Sequence, residues 1–248
     1  MKKYRIVSLD ISDVNYKEIE KHISKAIQNR EKITIAYATA HIVNLAKDDK
    51  LLQEALSTTD IIHPEGNGVW LASKLLYAKG FAERFNWTDH AKLLLKRCAI
   101  EGWNIFILGS TTDILQLAAE KIQKDIPNLK IVGMKNGFED VETGNLIETI
   151  NSAKPDILWL AMGSPKQNLW SHQHKHELNC SVIQAVGDAI TLLAGLKKRG
   201  PKFIQFIGLE WFVRFLFNPV KYFSRYVVGI PLFLVRVLIQ KIQLLRPN

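Results

Sequence analysis

Asn104-Ile-Phe-Ile-Leu-Gly-Ser-Thr-Thr-Asp-Ile-Leu-Gln-Leu-Ala-Ala-Glu-Lys-Ile-Gln-Lys124 changes its hydrophobic period midway, and that change decides the fold. Asn104–Leu108 is a short apolar run of strand type. Leu108-Gly109-Ser110-Thr111-Thr112 turns the chain, and over Thr112–Lys124 apolar residues return every three or four positions, as a helix requires. A further strand-type run, Lys130–Met134, follows. Strand, glycine turn, helix and strand make a βαβ unit, which sets two strands parallel. The same alternation extends both ways. Strands are predicted over Thr34–Ala38, Asp60–His63, Ile157–Ala161 and Val182–Val186, and Arg5–Leu9 reads as one alternating strand. Helices are predicted over Tyr16–Asn29, His41–Asp48, Lys50–Ser57, Gly68–Leu76, Thr88–Ile100, Glu142–Asn151 and Lys166–His176. The fold class is α/β, a parallel, doubly wound sheet flanked by helices, over residues 1–196.

The charge of the 248-residue chain is not spread evenly. Lys and Arg number 33 against 24 Asp and Glu, a net +9. Ten of the basic residues and one acid, Glu210, fall in residues 197–248, so residues 1–196 are neutral. That stretch also holds ten of the 23 aromatics. A neutral body with a basic, aromatic appendage calls for an anionic surface, a membrane or a nucleic acid. Composition excludes a disordered, collagen-like or disulfide-stapled chain. Cys98 and Cys180 stand in apolar surroundings without metal-ligand spacing, as buried residues of a reducing compartment do. The N-terminus has no apolar core of a signal peptide.

Chemistry concentrates at the ends of the predicted strands. Leu108-Gly109-Ser110, Met162-Gly163-Ser164-Pro165-Lys166-Gln167 and Val186-Gly187-Asp188-Ala189 each put a glycine where strand passes into helix. Ligands of open α/β sheets bind there, because glycine allows close approach and helix N-termini attract phosphate. Neither GxGxxG nor GxxxxGK[ST] occurs, so the pocket is not an ordinary dinucleotide or P-loop site. His63-Pro64-Glu65-Gly66-Asn67-Gly68 follows another strand and carries a carboxylate on a fixed loop. Glu65 is placed either to act as a general base or to cap the next helix. His41 and His63 lack a third partner at ligand spacing, so no metal site and no cofactor is expected.

In the appendage, Asn218-Pro219 marks a helix start after a helix ending near Phe217. Glu210, Arg214, Asn218, Lys221 and Arg225 form a narrow polar stripe, and Arg236, Gln240 and Gln243 form another. The remainder is apolar, which leaves a broad apolar face on each helix or a small helical subdomain with its own core. The longest spanning candidate, Tyr226–Ile239, contains Pro231 and Arg236 and is shorter than the roughly 20 residues a bilayer requires. A helix lying in the membrane interface, with cations on anionic head groups, fits better than a base-stacking surface, so no nucleic-acid partner is expected.

Several blocks are similar to those of the WecG/TagA/CpsF family of bacterial glycosyltransferases. They are Tyr37-Ala-Thr-Ala-His-Ile-Val-Asn-Leu-Ala46, Pro64-Glu-Gly-Asn-Gly-Val-Trp70, Glu83-Arg-Phe-Asn-Trp-Thr-Asp89, Phe106-Ile-Leu-Gly-Ser110, Met162-Gly-Ser-Pro-Lys-Gln167, Val186-Gly187 with Ala194-Gly195, and Gly208-Leu-Glu-Trp-Phe-Val-Arg214 followed by Asn218-Pro219 and Arg225-Tyr226. The resemblance covers nearly the whole chain. It implies a Rossmann-like core and a helical appendage that sits on the membrane and completes the site. It implies metal-independent, inverting transfer of a sugar, often N-acetylmannosamine, from a UDP-sugar to a polyprenyl-diphosphate-linked sugar, here N-acetylglucosamine, at the cytoplasmic face of the membrane. The products are precursors of wall teichoic acid, common antigen or exopolysaccharide.

Carried onto this chain, the resemblance assigns Glu65 as the base. With that chemistry, the strand-end turns are expected to hold the donor through Thr39, Gly66, Asn67, Gly109, Ser110, Gly163, Pro165, Lys166, Gln167, Gly187 and Asp188, and, with no metal motif to neutralise diphosphate, Arg84, Arg214, Lys221 and Arg225, with Asp89, are expected to bind the acceptor and its diphosphate. Departures from the family pattern are Glu65 for Asp, Thr39 for Asn, Asn168 for Glu, and Thr191 where Asp is frequent, with Asp188 replacing a small residue. They motivate the alternative of a membrane-bound scaffold that keeps the fold without efficient catalysis. The oligomeric state is left open, a homo-oligomer included.

Overall fold

The computed structural model describes residues 1–142, 144–197 and 210–246. Among them six strands form one parallel sheet: β3 (Ile33–Ala38), β4 (Ile61–Pro64), β5 (Asn104–Gly109), β6 (Lys130–Lys135), β7 (Ile157–Ala161) and β8 (Val182–Ala185), in the order β4-β3-β8-β7-β5-β6. Every pairing is parallel. Parallel sheets need cover on both faces, and side-chain alternation supplies it. Ile105, Ile107, Ile157, Trp159 and Val182 point to the face covered by α1 (Tyr16–Asn29), α5 (Trp87–Glu101), α6 (Thr112–Asp125) and α9 (Ala189–Leu193). Phe106, Leu108, Leu158, Leu160 and Ile183 point to the other, beneath α7 (Leu146–Ser152) and α8 (Lys166–His174). On that same side Ala36, Ala38, Ile62 and Ala185 meet α2 (Ala40–Asp48), α3 (Lys50–Ser57) and α4 (Asn67–Leu76). Cys98 and Cys180 lie in this interior, and burial pushes both thiols up to about 12, which makes them unreactive packing residues.

Two expectations are corrected. Arg5–Leu9 is not one strand: β1 (Lys3–Ile6) and β2 (Leu9–Ser12) form an antiparallel hairpin that turns at Val7-Ser8, with Val7 at φ 55°. The turn puts Tyr4, Ile6, Leu9 and Ile11 into one core cluster, which an uninterrupted strand cannot do. The helix expected over Glu142–Asn151 is split into a 3₁₀ turn, Asp140–Glu142, and α7 beginning at Leu146, with Gly144 and Asn145 in the turn between.

The appendage contributes α10 (Glu210–Phe217), α11 (Pro219–Phe223), a π-helical turn (Ser224–Val228) and α12 (Gly229–Leu245). The helix break at Asn218-Pro219 falls where the sequence puts it. In the π-helical turn the Gly229 N–H donates to Ser224 O. Pro231 follows directly on that turn, in the first turn of α12, and the helix runs through it although the missing N–H removes one backbone bond. Ser224–Leu245 is therefore helical over 22 residues, long and apolar enough by composition to cross a membrane, which corrects the expectation that the tail is too short.

Its packing is the more informative finding. Two residues of the polar stripe of α12, Arg236 and Gln240, turn inward, while Gln243 is exposed. Arg236 Nη1 donates to Asn44 O (3.0 Å) and Asn44 Oδ1 (3.2 Å), and Nη2 pairs with Asp48 at 2.6 Å. Gln240 accepts from Val7 N–H at 2.7 Å and donates to Arg5 O at 2.8 Å. Asn44 Nδ2 donates to Gly229 O at 2.7 Å. Phe233 and Val237 enter the same core cluster as α2 and α4. The cation at Arg236 is thus consumed by the body rather than offered to head groups. Val235, Leu238, Ile239, Ile242 and Leu245 face outward, each at least half exposed. Arg236→Ala leaves the Asn44 and Asp48 acceptors unpaired, so protection of the α12 amides in hydrogen exchange falls by about 10-fold while that of β5 and β7 is unchanged.

Candidate functional site

A cleft of about 800 Å³ opens between the carboxyl ends of β3, β4, β7 and β8 and the appendage. Its polar half is built from strand-end loops. Glu65 follows β4, and its backbone N–H donates to Ala38 O (2.9 Å), while Gly66 N–H donates to Phe85 O (3.0 Å). The Glu65 side chain is mostly buried, and Oε2 accepts from Trp87 N–H at 2.8 Å. The carboxylate is therefore held by the first residue of α5 across the cleft floor. Gly66 at φ 78° is the N-cap of α4 and supplies no side chain to bind its first N–H groups, so Gly66, Asn67 and Gly68 line the cleft with a helix N-terminus. Thr39 also lines the cleft, and its Oγ1 caps α2 by accepting from Ile42 N–H at 3.2 Å.

Opposite Glu65, one buried amide ties three strand ends together. Gln167 Nε2 donates to Tyr37 OH (3.2 Å) and to Ser164 Oγ (3.3 Å), and Oε1 accepts from Gly187 N–H at 3.3 Å. Ser164 Oγ donates to Asn168 Oδ1 at 2.7 Å. Tyr37 lines the cleft with its phenol pKa raised, chiefly by burial, so it stays protonated. Gly187 sits at φ 53°, and a Cβ there would lie 2.3 Å from Tyr37 OH. Gly187→Ala is accordingly expected to destabilise the protein by about 1–3 kcal/mol, read from urea midpoints, with part of the loss recovered by Tyr37→Phe in the same chain.

His63 is fully buried behind Glu65, its Nδ1 3.2 Å from Pro64 O and 3.9 Å from Glu65 Oε2, with its ring against Phe85 (4.4 Å) and Trp87 (5.9 Å). The carbonyl neighbour assigns the proton to Nδ1. Burial lowers the pKa of His63 to about 4, and burial together with Arg225 lowers that of His41 to about 4, both from 6.5. Below pH 6.5 the unfolded chain takes up protons that the folded chain refuses. Stability therefore falls as pH drops from about 6.5 to 4, and His63→Gln flattens that slope in denaturant midpoints measured across the range.

The sequence-assigned residues divide. Thr39, Glu65, Gly66, Asn67, Gly163, Gly187, Asp188, Arg84 and Arg225 line one cleft. Gln167 lies beneath it as a bracket. Pro165 follows a cis bond from Ser164 and is not part of the lining. Gly109 and Ser110 sit at the end of β5, where the Ser110 N–H is taken by Ala161 O and its carbonyl by Gly137 N–H, so this turn serves chain packing. Lys166 points the other way, with Nζ donating to Gly137 O at 2.9 Å. Asp89 lies exposed in the first turn of α5, outside the lining. The side chains of Arg214 and Lys221 lie outside the described residues. Asp188 pairs with Lys197 at 2.5 Å.

Sequence reasoning missed Tyr37, Asn86, Trp87 and Ser164, all in the lining. All four belong to quoted blocks, but the contribution of Trp87 is its backbone N–H, which no side-chain motif announces. The cleft's other half is apolar: Leu71, Ala72 and Leu75 of α4 face Trp211, Ile230, Phe233, Leu234 and Val237 of the appendage.

Comparison with known proteins gives the class of the protein: the chain is a glycosyltransferase. It belongs to the WecG/TagA/CpsF glycosyl transferase family, whose profile matches residues 4–247. It is similar to the N-acetylglucosaminyldiphosphoundecaprenol N-acetyl-beta-D-mannosaminyltransferases of Staphylococcus aureus strains NCTC 8325 / PS 47 and COL. Identity to each is 27% over 218 residues, covering 87% of this chain and 85% of the relative. The MRSA252 protein of the same name is likewise 27% identical over 218 residues.

Proposed function

We propose that the protein transfers N-acetylmannosamine from its UDP-sugar to N-acetylglucosamine carried on undecaprenyl diphosphate, with inversion, in the synthesis of teichoic acid or another surface polysaccharide. The observation that carries the reading is the two-sided cleft, with a buried carboxylate among glycine turns on one side and an apolar wall continuous with an outward apolar helix on the other. Glu65 takes the proton of the acceptor hydroxyl, whose oxygen attacks the anomeric carbon as the bond to UDP breaks. The N-terminus of α4 receives the departing diphosphate, the glycine turns at Gly163 and Gly187 let it approach the backbone closely, and Arg84 and Arg225 neutralise charge at the mouth.

The protein works as a peripheral enzyme at the cytoplasmic face of the membrane. One side of α12 is committed to the body through Arg236, Gln240, Phe233 and Val237, so lipid cannot surround it, and the helix lies along the interface rather than across it. The test is transfer of radiolabelled sugar from UDP-N-acetylmannosamine to a lipid-linked N-acetylglucosamine acceptor. UDP binding in calorimetry without transfer to any lipid-linked acceptor would favour the scaffold reading and defeat this one.

A further inference from the structure

The polar half of the cleft accounts for two sugars and diphosphate; its apolar half has no such occupant. Leu71 and Leu75 stand one turn apart on α4, 56% and 45% exposed. They are large apolar residues left open to solvent inside a concave site. Ala72, between them, joins the buried core with Phe233 and Val237. Ile230 and Leu234 line the facing side from α12, and Leu234 is 52% exposed. At Gly68 an added Cβ would lie 3.3 Å from Ala40 Cβ of α2, a tight contact, and 3.9 Å from Phe233 Cε1 of α12, an ordinary one.

The seam that results is bounded by charge at one end and lipid-compatible surface at the other. At its inner end stand Arg84, Arg225 and the α4 N-terminus. At its outer end it meets the exposed face of Val235, Leu238 and Ile239. An occupant that fits both ends carries a diphosphate followed directly by a single hydrocarbon chain. Leu71 and Leu75 are about 6 Å apart along α4, enough to contact a short isoprenoid segment.

We propose that the seam between α4 and α12, floored by Ala72 and walled by Leu71, Leu75, Ile230 and Leu234, binds the first isoprene units of the lipid acceptor next to its diphosphate. The inference rests on the acceptor class given under the proposed function and assigns that acceptor's chain a seat on the protein. Seating the first units draws the diphosphate out of the head-group layer and holds the sugar in register with Glu65. It also distinguishes these residues from the outward face of α12, which meets bulk lipid.

The test uses the full chain in solution without membranes, with inorganic diphosphate, geranyl diphosphate and geranylgeranyl diphosphate as probes below their micellar concentrations. Affinity is expected to rise at least about 10-fold from geranyl to geranylgeranyl diphosphate. In the double variant Leu71→Asn, Leu75→Asn that gain is lost, inorganic diphosphate binds as before, and retention on liposomes is unchanged. Ile100→Asn, an exposed apolar residue on α5, serves as control and leaves the gain intact. Chain-length dependence that survives in the double variant, or that is absent from the wild type, overturns the proposal. Failure of the wild type to transfer sugar while the length dependence holds would overturn the functional reading and leave the lipid seat standing.

Discussion

Glu65→Gln is expected to lower the rate of sugar transfer by about 10²–10⁴-fold, the usual contribution of a positioned general base, without loss of stability or of UDP affinity. The variant is close to isosteric. Its side-chain carbonyl still accepts the Trp87 N–H that Oε2 accepts now at 2.8 Å, so the loop and the start of α5 keep their geometry. Only proton acceptance is removed. Single-turnover rates at saturating donor and acceptor read this step, and the melting temperature and calorimetric UDP affinity serve as controls. A variant as active as the wild type would show that Glu65 is a cap and anchor for α5 rather than the base. Glu65→Asp probes the reach of the carboxylate. Shortening the arm by one methylene either breaks the Trp87 bond or shifts the oxygens by about 1 Å, and displacement of that size is enough to lower the rate by about 10²-fold.

The second large effect concerns the membrane. Val235, Leu238 and Ile242 fall on the outward face of α12, each about half exposed. Replacing all three with Glu removes no contact with the core formed by Phe233 and Val237. It deletes three apolar side chains from the lipid-facing stripe, a loss of about 4 kcal/mol or more, and adds repulsion from anionic lipid. Partition onto liposomes is expected to fall by roughly 10³-fold in co-sedimentation, with the thermal midpoint in solution unchanged or higher. Retention of the wild type should persist at about 0.5 M salt, where electrostatic attraction is screened over a few ångströms, because the outward side of α12 is apolar and its Arg236 is engaged with Asp48. Unchanged binding of the triple variant, or release of the wild type by salt alone, would refute the inward-polar, outward-apolar account of α12.

The residues 104–134 made the parallel α/β fold legible, since a change of period at a glycine is a local signal that survives any context. The Asn218-Pro219 break and the charge asymmetry between residues 1–196 and 197–248 were legible for the same reason. Candidate-site residues were legible where they stand on strand-end turns: Glu65, Gly66, Asn67, Gly163 and Gly187 all line one cleft. Gly109, Ser110 and Lys166 carry an equally good local pattern and lie outside that lining, because a turn's composition does not say which way the sheet presents it. The Arg5–Leu9 hairpin escaped because Val7 turns at positive φ, a conformation its side chain does not advertise.

By itself the sequence determined that the body is a parallel sheet between helices and that its last 52 residues carry the basic and aromatic excess. Periodicity and composition are properties of the chain, readable without neighbours. Only the tertiary structure decided what that excess does. A helix with a polar stripe has two faces, and amphipathicity alone cannot say which one meets the protein. Asn44, Asp48, Val7 and Arg5 bind Arg236 and Gln240 of the polar stripe, and those hydrogen bonds to the body turn the apolar face outward. Arg236 and Lys197 pair with carboxylates of the body, and the outward side of α12 from Val235 to Ile242 is hydrocarbon.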